Sequence, residues 1–278
     1  MKVLTFQEFT RQLSELYDKK QEITQAFEFL QQEYLRFPEH ADQTYYWRIF
    51  MAARLGKQSL ALQLFQEALD HGYWFSPDQL EKDEDLISLH PLPAFQKMVE
   101  ICRQRLAEAH ANARPELLVR EPAKHADSLP LLIALHGNWS DARSTQEAWS
   151  DVTTRGWLLA VPQSSQMIGL NSYTWDDRQQ GSHEVFTHLA VLNRTHTIDP
   201  ERVVLGGFSM GAGLAILLTL RQSTKACGFV VLAPYLSEAE LETLSDLLDR
   251  QKIMGRRGYI MVGEEDTRCL RPYPKTQW

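Results

Sequence analysis

The sequence of 278 residues has few cysteines and lacks the patterns that would indicate a metal site. Its three cysteines are odd in number and far apart (Cys102, Cys227 and Cys269), and neither C-x-x-C nor H-E-x-x-H occurs. These absences argue against a disulfide framework and a zinc site, and we expect no metal and no cofactor. No stretch approaches 18 apolar residues without a charge, and no apolar signal segment follows Met1. We therefore predict no membrane span and a cytoplasmic protein.

An excess of basic charge is also missing. Lys and Arg number 29 against 36 Asp and Glu, which gives a net charge of −7. This sign argues against a nucleic-acid partner or an anionic membrane surface. The hydrophobic share of 44% and the charged share of 23% are typical of a globular protein, so wholesale disorder is excluded. At about 150 residues per domain, the length predicts about two domains.

Glycine is scarce in the first 110 residues. Only Gly56 and Gly72 occur there, both where helices should stop, and apolar residues recur at helical spacing throughout. We predict a helical domain over residues 1–114. Two roles stay open for it: a packing domain without a ligand, or a concave groove that binds a protein partner.

An internal repeat lies within this helical region. The pattern Ala26-x3-Leu30 returns 35 residues later as Ala61-x3-Phe65-x2-Ala68, and Arg54-Leu55-Gly56-Lys57 fits the turn between two helices. This resembles the second helix of a tetratricopeptide repeat. Small alanines would let paired helices approach closely, while Phe65 would fill the groove between them.

The periodicity changes near residue 115. Short apolar runs now alternate with helical segments, and this alternation predicts an α/β domain with a parallel sheet over residues 115–278. An antiparallel edge strand is expected near 117–120. The fold class is therefore α plus α/β, with buried strands expected at 129–135, 157–161, 202–206, 228–233 and 259–262.

The sharpest motif is Gly207-Phe208-Ser209-Met210-Gly211, a G-x-S-x-G pattern. An apolar strand precedes it and an apolar helix follows it, as a nucleophile elbow requires. Such a turn would expose the Ser209 hydroxyl above the sheet. It would also direct the Met210 backbone N–H toward a developing oxyanion. The alternative is a glycine-rich turn with an incidental serine.

A second loop, His136-Gly137-Asn138-Trp139, directly follows the strand that ends at Leu135. In an elbow hydrolase this loop supplies the other oxyanion-hole N–H. Asn138 is the expected donor, and Trp139 stays open as an alternative. His136 is expected to shape the loop rather than to act as the catalytic base.

Together these stretches resemble the α/β-hydrolases of the phospholipase/carboxylesterase type. The resemblance implies a serine hydrolase that cleaves a small ester or thioester through an acyl-enzyme. Ser209 would be the nucleophile and Asp266 the acid, although Glu264 and Glu265 are its neighbours. Trp139 and Trp175 would contact the substrate. The resemblance rests on LLIALHGNWS, AVPQSS, SYTWDD, IDPERV, GGFSMGAGLA and VGEED.

The catalytic histidine of this family is missing. None of the nine histidines follows Ser209, and prolines interrupt the 12 residues after Asp266. We therefore expect a C-terminally truncated hydrolase domain with impaired activity. Rescue by His183, His188 or His196 is disfavoured, since all three fall on a helix expected to pack below the site. The competing hypothesis is a non-catalytic interaction protein built from a decayed hydrolase domain and the helical domain. A peptidase of the same fold is a third possibility.

Overall fold

The computed structural model describes residues 4–123, 126–221, 224–249, 255–264 and 266. Contacts between residues divide the chain into two compact units, Met1–Ala111 and Asn112–Trp278. The sequence analysis placed this boundary after residue 114.

The first unit is helical throughout its described part, as its apolar periodicity predicts. Short 3₁₀ and π turns connect the helices. The first helix begins with a capping box, in which Thr5 and Glu8 satisfy each other's backbone N–H groups. The helices are α1 (Phe6–Ser14), α2 (Ile23–Glu33), α3 (Ala41–Arg54), α4 (Gln58–Asp70), α5 (Pro77–Lys82) and α6 (Pro93–Asn112).

Helices α3 and α4 pack against each other across a tight turn. Gly56 takes φ +71° in this turn, a conformation that glycine adopts without steric cost. Ala61, Phe65 and Ala68 of α4 are fully buried, so the small alanines face the helix partners as expected. The tetratricopeptide resemblance itself stays a prediction.

The second unit contains a six-stranded sheet in the order β1-β3-β2-β6-β7-β8. Its first strand is an antiparallel edge and the other pairings are parallel, as predicted. A short hairpin, β4–β5, forms a separate sheet that the sequence did not indicate. The strands are β1 (Glu116–Arg120), β2 (Leu129–Leu135), β3 (Leu158–Gln163), β4 (Met167–Gly169), β5 (Ser172–Tyr173), β6 (Ile198–Phe208), β7 (Gly228–Leu232) and β8 (Arg257–Met261).

Burial explains the apolar runs of this unit. Every residue of β2 and β3 is buried, and ten of the twelve residues of α9 are buried as well. All five residues of β8 are exposed, so the prediction of a buried strand at 259–262 is wrong, because β8 is an edge strand of the sheet that the structure describes. The helices are α7 (Ala142–Ala148), α8 (Arg178–Thr195), α9 (Ser209–Leu220) and α10 (Glu238–Asp249).

Candidate active site

Ser209 lies at the turn between β6 and α9. Strand β6 ends at Phe208, and Ser209 is the first residue of the helix. Its φ is +51°, in the left-handed region that residues other than glycine rarely occupy. Such a conformation costs about 1–3 kcal/mol and persists only where the surroundings enforce it. The strained turn that the G-x-S-x-G motif predicts is therefore present.

The two glycines of the motif stand where a side chain would collide with backbone. A Cβ on Gly207 would lie 2.7 Å from the Gly211 carbonyl carbon, and one on Gly211 would lie 2.3 Å from the His136 carbonyl oxygen. The helix therefore approaches both its own strand and the loop after β2 more closely than any larger residue permits. This close packing fixes the direction in which α9 leaves the sheet.

The two backbone N–H groups predicted to form an oxyanion hole belong to the first turn of α9 and to the loop after β2. Met210 is the second residue of α9, and the first four N–H groups of a helix have no intrahelical acceptor. Asn138 lies in the loop after β2, whose Leu135 pairs with Gly207 of β6. The positive end of the α9 dipole also favours negative charge at this place.

The alternative donor, Trp139, is already engaged. Its backbone N–H donates to the Tyr173 carbonyl at 3.1 Å and to Asn138 Oδ1 at 3.2 Å. Trp139 also has a left-handed φ of +60°. A β-bridge between Ser140 and Tyr173 connects this loop to the β4–β5 hairpin. The Trp139 indole is 41% exposed and therefore free to meet a substrate.

His136 is a buried, neutral residue that holds two loops together. Its Nε2 accepts the Ser164 backbone N–H at 3.2 Å, so the proton resides on Nδ1, which lies 2.9 Å from the Gly137 carbonyl oxygen. Burial lowers the pKa of His136 to about 4. With both ring nitrogens occupied, His136 shapes the loop and has no free nitrogen for the Ser209 proton.

Trp175 does not line an open pocket, contrary to its predicted contact with substrate. Its side chain is fully buried, its Nε1 donates to the His136 carbonyl at 2.9 Å, and its ring stacks on His136. A Cβ on Gly181 would lie 2.8 Å from the indole, so α8 closes over it. Trp175 therefore supports the loop that carries Asn138 and presents no surface to a substrate.

Asp266 follows β8 at the same edge of the sheet as Ser209. Strands β6, β7 and β8 are parallel neighbours, so the ends of β6 and β8 lie two strand spacings apart, about 10 Å. The Asp266 backbone N–H donates to the Gly263 carbonyl at 3.0 Å. Of the competing acids, Glu264 is exposed, and Glu265 lies outside the described residues.

Among the described residues, the other histidines of this unit are His183 and His188 in α8 and His196 directly after it, while His125 lies outside the described residues. Arg178, at the start of α8, contacts the Met210 carbonyl. At 1.5 Å per residue, His188 and His196 lie about 15 and 27 Å further along the helix axis. His183 lies about 7.5 Å along, rotated by about 140° around the helix from Arg178. This offset puts His188 and His196 far along the helix axis from the residue that contacts the elbow.

Arg178 contacts the elbow through a network of hydrogen bonds that no motif in the sequence indicates. The Arg178 guanidinium donates to the carbonyls of Met210 and Tyr235 and to the Glu240 carboxylate. Burial alone would raise the pKa of Glu240, but the Ser237 backbone N–H and Arg178 hold that pKa below its ordinary value. Arg178 falls just after the SYTWDD stretch, yet no spacing in the sequence links it to Ser209.

Exposed aromatic side chains surround the elbow. Phe208, directly before Ser209, is 52% exposed, and Tyr235, whose N–H bonds to the Ser209 carbonyl, is 55% exposed. With Trp139 they offer apolar surface at the sheet edge where the nucleophile lies.

A family model matches the helical unit. Residues 5–110 match the model described as the N-terminal domain of A/B hydrolase-like proteins. Among curated proteins, no sequence matches the chain.

Solved structures resemble the chain as well. An uncharacterized protein from Bacillus cereus shares 27% identity over 96% of this chain and 84% of its own, with a TM-score of 0.45. A dienelactone hydrolase-like promiscuous phosphotriesterase from metagenomic libraries shares 10% identity over 55% and 78%, with a TM-score of 0.44. The esterase PE8 shares 18% identity over 54% and 90%, with a TM-score of 0.43.

The strand order, the antiparallel edge strand and the strained elbow define an α/β-hydrolase fold. With the family model on the helical unit, they make the chain a member of the α/β-hydrolase superfamily. No helix in the described ranges is long and apolar enough to cross a bilayer. Within those same ranges, no group of three or more His, Cys, Asp or Glu side chains is placed to hold a metal ion.

Proposed function

We propose that the second unit is a serine hydrolase site that cleaves a carboxylic ester or thioester through an acyl-enzyme on Ser209. The observation that carries this proposal is the strained Ser209 at φ +51° between two glycines that have no room for a side chain. A strained backbone of this kind costs free energy, and in the nucleophile elbow the strained turn exposes the serine hydroxyl. The neighbouring Met210 and Asn138 N–H groups support the same chemistry.

In this mechanism the Ser209 hydroxyl oxygen attacks the substrate carbonyl carbon while its proton passes to a base from solution, which then returns the proton to the leaving alcohol or thiolate. Negative charge then develops on the carbonyl oxygen, where the N–H groups of Met210 and Asn138 stabilise it. The alcohol or thiol leaves, and water hydrolyses the acyl-enzyme. Asp266 would be the acid that stabilises a protonated base bound from solution, while Trp139 and Phe208 would contact the apolar part of the substrate.

The mechanism also needs a general base that accepts the Ser209 proton, and we assign no histidine of this chain to that role. No histidine follows Ser209 in this sequence, His136 is engaged, and the α8 histidines lie away from the elbow. Loss of the base in a serine hydrolase costs up to about 10⁶ in turnover, while binding and the oxyanion hole retain about 10³–10⁴ over water. We therefore propose slow turnover for this chain, with an intact remainder of the site.

The test supplies the missing base from solution. Hydrolysis of 4-nitrophenyl acetate by the full chain is measured with and without imidazole, and Ser209 is labelled with a fluorophosphonate. We expect slow turnover that imidazole accelerates beyond its own reaction with the ester, since a small imidazole fits where a histidine ring would act. Ser209→Ala should abolish the accelerated part and the labelling. Thr187→Ala, at an exposed hydroxyl residue of α8, should change neither.

Three outcomes would contradict the proposal. Equal acceleration in the wild type and in Ser209→Ala would place the reaction elsewhere. Rapid turnover without imidazole would show that a base is present after all. Neither labelling nor acceleration would favour the second candidate, a non-catalytic interaction protein.

A further inference from the structure

We propose that Arg178, paired with Glu240, is a positioning residue that holds the Ser209–Met210 peptide group in the orientation the oxyanion hole needs. The inference rests on the proposed function of Ser209. Arg178 would touch neither the substrate nor the reacting atoms. It would act through the backbone that carries one of the two donors.

Arg178 joins three segments that are far apart in the sequence. Its Nη1 donates to the Met210 carbonyl at 2.6 Å, its Nη2 to the Tyr235 carbonyl at 3.2 Å and its Nε to Glu240 Oε1 at 2.8 Å. The side chains of the ion pair are 15% and 17% exposed, so solvent screens the pair only in part. The first turn of α9, the loop after β7 and α10 are thereby bound to the start of α8.

A further hydrogen bond connects this network to the donor itself. The Tyr235 N–H donates to the Ser209 carbonyl at 2.9 Å. That carbonyl and the Met210 N–H belong to one planar peptide group, so the direction of one fixes the direction of the other. Whatever holds Tyr235 in place therefore aims the Met210 N–H at the oxyanion position.

The backbone is strained at the acceptor of this hydrogen bond and two residues before its donor. Ser209 has φ +51°, and Ala233, in the loop that carries Tyr235, has φ +42°. Without a restraint the peptide group could rotate to relieve this strain. The rigid fork of a guanidinium suits two carbonyls at once, which the point charge of a lysine does not.

Gly213 leaves the room that this arrangement needs. A Cβ there would lie 2.0 Å from the Tyr235 carbonyl oxygen and 3.0 Å from Arg178 Nη2. The helix, the loop and the guanidinium therefore meet at a glycine of α9. The packing leaves Arg178 in contact with both carbonyls.

The experiment compares Arg178→Ala, Arg178→Lys and a control, Arg202→Ala, in the full chain. Arg202 forms an exposed ion pair with Asp199 in the same unit. We measure kcat and KM for 4-nitrophenyl acetate with imidazole, and the hydrogen exchange of backbone amides by NMR. For Arg178→Ala we expect kcat to fall about 10- to 100-fold with KM unchanged within about 2-fold, since a misdirected donor weakens transition-state binding. Arg178→Lys should restore part of kcat, and Arg202→Ala should match the wild type.

The exchange measurement separates this inference from the proposed function. The Tyr235 amide should exchange faster in Arg178→Ala, while the Ala233 amide, bonded to the Met261 carbonyl, should not. If the wild type has no Ser209-dependent turnover, the proposed function fails. The exchange rate of the Tyr235 amide in Arg178→Ala then decides by itself whether Arg178 holds this loop in place. Unchanged Tyr235 exchange, a change in KM alone, or an equal loss in Arg202→Ala would overturn the positioning role.

Discussion

His136 shows how a single residue connects the stability of the fold to the site. It is fully buried, its pKa is lowered to about 4, and an unfolded histidine titrates near 6.5. Below about pH 6.5 the unfolded chain binds a proton that the folded chain does not. The free energy of unfolding should therefore fall as the pH drops from about 6.5 to about 4, by up to about 3 kcal/mol from this residue.

The matched variant is His136→Gln, because a glutamine oxygen can still accept the Ser164 N–H but does not titrate. Urea unfolding of both proteins is measured at pH 7.5 and pH 4.5. The wild type should be the more stable protein at pH 7.5, and the difference should narrow at pH 4.5. Burial also lowers the pKa of His188, but this residue is present in both proteins, so its contribution cancels from the difference in the free energy of unfolding. A difference that stays constant over this range would refute the neutral, buried state of His136.

Single residues were predictable where a local motif determines them. Ser209 and its glycines are adjacent in the chain, and their strain and close contacts follow from the turn alone. Trp175 was misjudged, because a family motif indicates its position but not its burial. Arg178 was missed, because its partners Met210, Tyr235 and Glu240 are brought to it only by the sheet topology.

At the scale of elements, the site depends on how closely α9 packs against the loop after β2. A Cβ on Gly211 would lie 2.3 Å from the His136 carbonyl oxygen, a backbone atom that cannot move by rotating a side chain. We expect Gly211→Ala to lower the free energy of unfolding by about 1–3 kcal/mol or more, because the helix must separate from β2. Chemical unfolding in urea measures the change.

Gly263→Ala is the control for this substitution, because no atom of the described residues lies within 4 Å of a Cβ built at Gly263. Its effect should stay within about 0.5 kcal/mol of zero. A Gly211→Ala variant as stable as Gly263→Ala would mean that α9 and the loop are not in close contact. In Gly211→Ala, fluorophosphonate labelling of Ser209 should also be slower than in the wild type. The contact between Gly211 and the His136 carbonyl oxygen sets the direction of the turn that carries Ser209.

The regular elements were largely predictable and the irregular ones were not. The buried strands β2 and β7 begin where their apolar runs begin, since burial on both faces leaves a continuous apolar signal. The β4–β5 hairpin has only five strand residues and no such signal, yet it holds the Trp139 backbone. Short elements that bind through backbone atoms leave little trace in a sequence.

At the scale of the whole molecule, the chain divides into two compact units. The change from helical to strand periodicity near residue 115 indicated this, and contacts divide the chain after Ala111. Helix α6 ends at Asn112 and β1 begins at Glu116, so three residues outside regular structure connect them. Among these, Arg114 and Pro115 are exposed.

This connection should be the first site of cleavage by a protease of broad specificity. Backbone outside helices and strands fits a protease site without unfolding, whereas the buried strands of the second unit do not. Proteinase K at a low ratio should give two fragments that separate between residues 111 and 116, as intact mass spectrometry would show. Trypsin serves as the control, because Pro115 protects the bond after Arg114. First cuts inside α3 or β2 would contradict a division of the chain into two separately packed units.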